Sequence, residues 1–273
     1  MRIGIDIGGT FTDFVAVGED GSVRLVKLPS TPDDYGLAIE QGLRALLDEE
    51  GPDASSVTDI VHGTTVAANA ILSGTWAKTG LITTEGFRDV LEIGRLRTPR
   101  LYDLAWEKPR PIVPRHLRVE VHERIRADGS VSIPFDHSSL TRAISKLKDE
   151  GVESIAVCLL NAYASDQHEQ QLGEIARQLG FRHVSLSSRV APLIKIVSRG
   201  DTTVVNAYLD PVLVDYVGRI QAGLSRSSRL RLLTSAGGLV SPAGFMGKDS
   251  VLSGPAGGVV GCAGVAGAAG FSR

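Results

Sequence analysis

The sequence predicts an α/β fold, because segments with the two-residue period of β-strands alternate with segments of helical spacing. Near the amino terminus Ile3, Ile5 and Ile7 alternate with polar or small residues, which is typical of a strand. Further on, apolar residues between Leu37 and Leu47 recur at the spacing of one helix face. At 273 residues the chain is long enough for one large domain or two medium-sized ones.

Residues 1–85 predict the element order β-β-β-α-β-α-β. The turn Glu19-Asp20-Gly21 separates the second and third strands, and the first helix starts near Thr31 and ends at Gly51. The predicted strands are Ile3–Ile7, Thr12–Val17, Ser22–Lys27, Thr58–His62 and Thr79–Thr83, and the second predicted helix is Val66–Leu72.

Residues 86–135 are rich in arginine and proline and predict an irregular insertion with little helix. Two interpretations of this insertion stay open, a solvated loop excursion and a flap that faces a substrate. After it the alternation resumes, with helices predicted at Ser138–Glu150 and Asp166–Leu179 and strands at Ser154–Leu160 and His183–Leu186.

A new region is predicted to begin near residue 188, with a long helix at Thr202–Leu224 that is broken or started at Asp210-Pro211. A strand at Leu230–Thr234 and a helix of small residues after Leu252 follow. The uncharged stretch Pro255–Phe271 is shorter than the ~20 residues that span a membrane. We therefore expect a tightly packed internal helix, whose regularly spaced glycines let another backbone approach.

Composition excludes several classes of protein. Hydrophobic residues make up 42% of the chain, charged residues 22%, and the net charge is −2, so nothing favours a nucleic-acid or membrane partner. The two cysteines, Cys158 and Cys262, each lie in an apolar run, and no secretory signal begins the chain. A cytoplasmic location without disulfides is expected.

The opening stretch MRIGIDIGGTFTDF places polar residues directly after an apolar strand. Backbone N–H groups at Gly8 and Gly9 can bind a phosphate with nothing bulky in the way, and the hydroxyls of Thr10 and Thr12 add donors. Carboxylates repel phosphate, so Asp6 and Asp13 fit this chemistry only through a cation such as Mg²⁺. The alternative is a tight hairpin in which Asp and Thr cap their own backbone.

Further candidate residues follow later strands. His62 ends a predicted strand, and Thr64 follows it. Either both side chains line a cleft, or His62 is a loop residue and Thr64 caps the next helix. Gly254 and Gly257 belong to Ser253-Gly254-Pro255 and the helix after it. The free N–H groups at the start of this helix can receive an anion; in the structural interpretation, which is compatible with this, Ser253 caps the helix and Pro255 occupies its first turn. The six histidines show no ligand spacing for zinc.

The motif D-x-G-G-T-x-T-D resembles the first phosphate motif of the acetate kinase, hexokinase and actin superfamily. Four further blocks are similar, in order, to the ATP-dependent hydantoinase A and 5-oxoprolinase family, which includes subunits of acetone and acetophenone carboxylases. These blocks are His62–Thr65, Gly80–Arg95, Thr202–Pro211 and Leu252–Gly258. A second D-x-G-G-T-x-x-D, usual in that family, is not reached, and Ala236 stands where relatives often carry an amide or a carboxylate.

This resemblance implies an actin-like, ribonuclease H-like lobe at residues 1–187 and an incomplete second lobe at 188–273. It implies a hydrolase that activates a hydantoin or 5-oxoproline with ATP, with Asp6, Asp13, His62 and Thr64 as catalytic residues. The resemblance also implies that the two aspartates bind Mg²⁺ and that the glycines and threonines named above bind phosphates. The implied partner is a hydantoinase B-type subunit or a second copy of the chain. The alternatives are a ketone carboxylase subunit, a sugar or carboxylate kinase, and a non-catalytic ATPase module. The isolated chain is expected to be inactive.

Overall fold

The computed structural model describes residues 1–31, 35–47, 57–74, 77–95, 102–222, 224 and 228–271. The strands are β1 (Arg2–Ile7), β2 (Phe11–Val17), β3 (Val23–Pro29), β4 (Asp59–Thr64), β5 (Thr79–Thr84), β6 (Arg118–Val121), β7 (Arg124–Ile125), β8 (Val131–Ile133), β9 (Ser154–Cys158), β10 (His183–Leu186), β11 (Arg229–Leu233) and β12 (Leu239–Val240). The helices are α1 (Tyr35–Leu46), α2 (Val66–Ser73), α3 (Val90–Ile93), α4 (His137–Asp149), α5 (Gln167–Gln178), α6 (Ser187–Val190), α7 (Ile196–Ala222) and α8 (Ser253–Ala268).

The chain forms two compact units. Unit 1 comprises Met1–Thr75 and Val212–Arg273, and unit 2 comprises Trp76–Pro211. The boundaries of these units differ from the domain boundary that we expect at residue 187. That domain division stays a prediction.

Unit 1 contains a mixed sheet, in which the described strands have the order β12-β11-β4-β1-β2-β3. β1 is antiparallel to β2 and parallel to β4, and β11 is parallel to β4. Because side chains alternate along a strand, Ile3, Ile5 and Ile7 all enter the core on one face. Phe14 on β2 joins them, and a Cβ added at Gly42 of α1 would lie 2.1 Å from its ring, so this glycine lets the ring touch the helix backbone.

The opposite face of this sheet is open at its β2–β3 side. Val15, Val17, Val23 and Leu25 are exposed there, and the strand registers place Val15 between Gly4 and Leu25. Asp6 and Asp13 belong to the same face, since they lie two residues along from Gly4 and Val15. The sheet therefore presents its carboxylates on the side away from the isoleucine core.

Unit 2 contains a parallel sheet with the strand order β10-β9-β5-β6 among the described residues. Leu81, Ile82 and Ile155 of its strands form a core with Leu140 and Ile144 of α4. Parallel strands are typically buried on both faces, and every residue of β5 and β9 is buried. The predicted strands and helices of residues 138–186 are confirmed.

Three expectations need correction. Within residues 86–135, Arg118–Val121 forms the edge strand of the parallel sheet, so this part is regular structure. α7 starts before Thr202 and continues through Pro211. α8 is not an internal helix, because Val259 and Val265 are 70% and 73% exposed and a Cβ added at Gly261 would meet no atom within 4 Å.

The start and end predicted for the first helix, near Thr31-Pro32 and at Gly51, lie partly or wholly outside the described residues. The central part of that helix is confirmed as α1. Among the helices that the structure describes, none combines the length and the apolarity needed to cross a bilayer.

Candidate functional site

The residues predicted to bind phosphate gather at the carboxyl ends of the parallel strands β1 and β4 in unit 1. The turn Gly8–Thr10 follows β1, and Thr65 follows β4. Thr65 joins these two loops, because its main-chain N–H and its hydroxyl both donate to Ile7 O at 3.0 Å. The start of α8 lies at the same edge, where Ser253 Oγ donates to Thr64 O at 2.9 Å. Open α/β sheets bind ligands at such an edge.

Asp6 and Asp13 are register partners on β1 and β2. Directly opposite side chains on antiparallel strands have Cβ atoms about 5 Å apart, so the two carboxyl groups are neighbours. Burial and, to a smaller extent, the charge of Asp13 raise the pKa of Asp6. A cation between the two carboxylates would relieve both effects, and Gly63 leaves space beside them because it has no side chain.

Lys27 on β3 extends this row of charges and was not predicted as a site residue. Its Nζ lies 2.7 Å from Asp13 Oδ1 and 5.0 Å from the centre of the Phe11 ring. Lys27 is the register partner of Asp13, and the two-residue period of both strands would have placed it on the same face.

The turn after β1 is a tight hairpin with an exposed tip. Gly8 N donates to Phe11 O at 2.9 Å, and a Cβ added at Gly8 would lie 3.0 Å from that oxygen. Gly9 and Thr10 are exposed, and a Cβ at Gly9 would lie 3.3 Å from Asn69 Nδ2. The N–H groups at the tip therefore face solvent beside an amide side chain, which suits an anionic ligand.

Thr12 lies on the other side of the sheet. It is fully buried, and its Oγ1 is 3.0 Å from Ser30 Oγ, which in turn donates to Gly8 O at 2.7 Å. Consecutive residues of a strand point to opposite faces, so Thr12 points away from Asp13. This position argues against the predicted contact of Thr12 with phosphate, and its hydroxyl instead supports the turn.

His62 also belongs to the core. Its Nδ1–H donates to Ile5 O at 3.2 Å, and its Nε2 accepts a hydrogen bond from the hydroxyl of Tyr216. Burial lowers the pKa of His62 to about 4. A neutral ring with both nitrogens bonded argues against the predicted catalytic role. Thr64 is buried as well, and its Oγ1 accepts from Val66 N at 3.1 Å just before α2, whose N-cap residue is Thr65 and has no side-chain capping bond.

We expect His62 to make the protein less stable as the pH falls from about 6.5 to 4. The unfolded chain binds a proton at its ordinary pKa of about 6.5, whereas the folded chain resists it, so unfolding becomes easier in acid. The free energy of unfolding is expected to be about 2 kcal/mol lower at about pH 5 than at neutral pH. Denaturant unfolding of wild type and His62→Gln across this range measures it, and parallel curves for the two proteins would contradict the prediction.

The first turn of α8 approaches the site through its glycines. A Cβ added at Gly254 would lie 3.3 Å from Thr65 Cγ2, and one at Gly257 would lie 2.6 Å from Leu233 Cδ2. Ser253 does not cap this helix, because its hydroxyl donates to the carbonyls of Thr64 and Ser250. Ser253 N and Ala256 N already donate to Ser250 O and Leu252 O, and Pro255 has no N–H, so the main-chain N–H of Gly254 is the donor of this first turn that keeps its capacity for an anion.

Among the described residues, no three histidine, cysteine or acidic side chains are grouped to hold a metal ion. The Asp6–Asp13 pair supplies two carboxylates, and Mg²⁺ bound together with phosphates requires only one or two of these. The pair therefore fits magnesium with phosphate and does not fit a closed zinc site.

Comparisons with known proteins agree with the motifs. Residues 2–180 match the family described as "Hydantoinase/oxoprolinase N-terminal region", and residues 199–273 match "Hydantoinase/oxoprolinase". A 5-oxoprolinase of Saccharomyces cerevisiae is 36% identical over 96% of this chain and 23% of its own length. Caprolactamase subunit alpha of Pseudomonas jessenii is 38% identical over 93% of this chain and 38% of its own length. The chain thus spans roughly a quarter to two fifths of these relatives.

Two solved structures share the fold. Nucleotide-free acetone carboxylase has a TM-score of 0.88 and 26% identity, over 99% of this chain and 41% of that one. ATP-dependent caprolactamase from Pseudomonas jessenii has a TM-score of 0.82 and 36% identity, over 94% of this chain and 39% of that one. The predicted actin-like α/β fold is confirmed by these likenesses.

Proposed function

Because this chain belongs to the hydantoinase/oxoprolinase family, we propose that it carries the ATP site of an enzyme that hydrolyses a cyclic amide. The observation that carries the proposal is the juxtaposition of Asp6 and Asp13 beside the exposed tip Gly9–Thr10. The names of its relatives, 5-oxoprolinase and caprolactamase, supply the substrate class. A 5-oxoproline, a hydantoin and a lactam share one internal amide in a ring.

The proposed roles follow the geometry. Asp6 and Asp13 hold Mg²⁺, which neutralises phosphate charge when bound, and Lys27 forms an ion pair with Asp13 at the margin of the site. The N–H groups of Gly9 and Thr10 orient the phosphates, whereas the N–H of Gly8 already donates to Phe11 O and fixes the turn, so its predicted contact with phosphate is not proposed. The N–H of Gly254 at the start of α8 lies at the same edge and is the second anion-binding element, and Gly257 lets the helix pack closely on Leu233. Thr64 positions the loop after β4.

The chemistry requires activation, because resonance makes an amide carbonyl a poor electrophile. The amide oxygen takes the γ-phosphoryl group of ATP, and ADP leaves. Water adds to the activated ring carbon, and the C–N bond breaks to give an open-chain amine that carries an acyl phosphate. A second water then hydrolyses the acyl phosphate to the carboxylate and inorganic phosphate. In such a reaction the protein contributes mainly positioning and neutralisation of charge. The ring-opening step belongs to a part of the enzyme outside this chain or to a partner subunit.

A second candidate function is an ATP-dependent ketone carboxylase, in which the phosphoryl acceptor is an enolate or a carbonyl oxygen. The likeness to acetone carboxylase favours it. A sugar or carboxylate kinase shares the opening motif but not the blocks around His62 and Gly86. A non-catalytic ATPase module would bind ATP without a small substrate.

We further propose a partner subunit of the hydantoinase B type, since the related caprolactamase protein is named as an alpha subunit. A second copy of the chain is the alternative partner. A cytoplasmic location is proposed from the free cysteines, Cys158 and Cys262, which form no disulfide.

Release of ADP by the full-length protein tests the function. We expect 5-oxoproline, caprolactam or a hydantoin to stimulate release above the basal rate, and Asp6→Asn to remove the stimulation. Stimulation by acetone with bicarbonate, and by no cyclic amide, would replace the hydrolase with the carboxylase. Steady basal release that responds to neither class would contradict both enzymatic proposals and favour the module.

A further inference from the structure

Unit 2 contains a groove of about 610 Å³ between the edge strand β6 and helix α4. We call it the β6–α4 groove. Its apolar floor comes from the nearly buried Val119 and Ala143, and charged side chains surround this floor. The volume is that of a small-molecule site. None of the residues assigned above to ATP lines the groove, so the proposed function does not use it.

The carboxylates of the groove are already bonded within the protein. Glu120 accepts from Gly86 N at 2.8 Å and from Arg88 N at 3.3 Å. Asp136 caps α4, where it accepts from the main-chain N–H groups of the next turn. Glu85 pairs with the ring of His122.

Arg118, one cation of the groove, pairs with Glu92 at 2.6 Å, but the other three are less well matched. Arg142 and Lys146 lie one turn apart on α4, both exposed, and among the described residues neither forms an ion pair, although the charge of Arg142 helps the hydrogen bonds from Ser138 to lower the pKa of Asp136. The Arg142 guanidinium donates to Ser138 Oγ at 3.3 Å, which is a long and neutral contact. Arg88 Nε is buried and has no hydrogen-bond partner in the described chain, and it lies 3.9 Å from Asp89, which Arg115 already holds at 2.9 Å.

The edge of β6 adds neutral polar groups. The main-chain groups of a strand alternate in direction, and Val121 O faces β5, where it accepts from Glu85 N. The main chain of His122 faces α4 instead, where its N–H donates to Ser139 Oγ. By the same alternation the N–H and C=O of Glu120 face the groove.

We propose that the β6–α4 groove binds a small organic dianion, a dicarboxylate or a phosphate ester, at a site separate from that for ATP. Arg142 and Lys146 bind its two anionic ends or its phosphate, Arg88 supplies a third donor, and its carbon skeleton packs on Val119 and Ala143. Neighbouring side chains one turn apart are separated by about 6 Å at Cβ, which matches the span of a short dicarboxylate.

Calorimetric titration of the 273-residue chain with glutarate, and separately with inorganic phosphate, tests this proposal. We expect the double variant Arg142→Gln/Lys146→Gln to bind about tenfold more weakly or worse, since charge-assisted contacts are lost. The matched control Arg182→Gln/Lys195→Gln removes the same charge from exposed positions of unit 2 outside the groove and should bind within about twofold of wild type. Far-ultraviolet circular dichroism of both variants checks their folding.

The two titrants distinguish the two kinds of anionic ligand. Binding of glutarate supports a dicarboxylate ligand, and binding of phosphate supports a phosphate ester. Equal affinities in the two double variants, or no binding of either anion by wild type, would overturn the proposal. Displacement of the anion by Mg-ATP would also overturn it, because it would place the anion at the Asp6 site.

Discussion

Replacing Asp6 with asparagine is expected to weaken binding of Mg-ATP by about 100-fold or more, because the proposed magnesium site would lose one of its two carboxylates. The same change should not lower stability. Burial and the charge of Asp13 raise the pKa of Asp6, so its ionised form costs folding free energy at neutral pH, and asparagine removes that cost. Calorimetry with Mg-ATP and denaturant unfolding measure the two effects on one sample.

Asp20→Asn is the matched control for this experiment. Asp20 lies in the turn between β2 and β3 and bonds only to Ser22 among the described residues, so its loss removes the same charge far from the Asp6–Asp13 pair. Binding of Mg-ATP should stay as in wild type. If Asp6→Asn binds as tightly as this control, the carboxylate pair is not the magnesium site.

Replacing Arg199 with methionine is expected to destabilise the protein by about 3–5 kcal/mol, which is the usual effect of removing one partner from a buried polar network. Arg199 is fully buried, and it donates to Ser187 Oγ at 3.0 Å, Leu193 O at 2.6 Å and Leu159 O at 2.7 Å. The Ser187 hydroxyl in turn donates to the Glu169 carboxylate at 2.6 Å. Without the guanidinium, two carbonyls lose their donor, and the Ser187 hydroxyl that donates to Glu169 loses its own donor.

A double-mutant cycle with Glu169→Gln identifies the mechanism. Burial raises the pKa of Glu169, against the donors that hold its ionised form. In the Glu169→Gln background, Arg199→Met should therefore cost less than in wild type. Arg182→Met, at an exposed position, is the control and should change stability by less than about 0.5 kcal/mol. An equal loss in both backgrounds would mean that the two residues are not coupled.

Much of the fold followed from local patterns. The strands around Ile5, Ile82 and Ile155 have strong two-residue or fully apolar signatures, and these short-range signals survive in the structure. β6 was missed because Arg118, a buried arginine paired with Glu92, begins it, and such a residue is rarely inside a protein. Its burial depends on a partner that local sequence does not identify.

α8 was misjudged for a different reason. Its residues are apolar, which predicted burial, but a helix of glycine and alanine has little side chain to bury. Packing then depends on what lies next to it, and Val259 remains exposed. α7 was predicted to be broken or started at Asp210-Pro211, whereas the helix accommodates Pro211 in its interior and begins six residues before the predicted Thr202.

The candidate site was partly predictable. Two carboxylates that flank a short glycine turn become neighbours as soon as the turn closes a hairpin, so the pair of Asp6 and Asp13 followed from the sequence. Side chains alternate between the two faces of a strand, so Thr12 cannot share a face with Asp13. The motif alone, which groups the two residues, did not indicate this. The bond between His62 and Tyr216 could not be predicted, because it joins residues that only the tertiary fold brings together.

The sheet of unit 1 is completed by residues from two distant parts of the chain, since β11 pairs with β4. During synthesis on the ribosome, the outer edge of β4 stays unpaired until residues 229–233 have been translated. The described strands of the unit 2 sheet, in contrast, all lie between residues 79 and 186. At translation rates of about 5–20 residues/s this wait lasts roughly 10–30 s. The nascent polypeptide therefore exposes an unpaired β edge during synthesis, and a chaperone that shields it would raise the yield of folded protein.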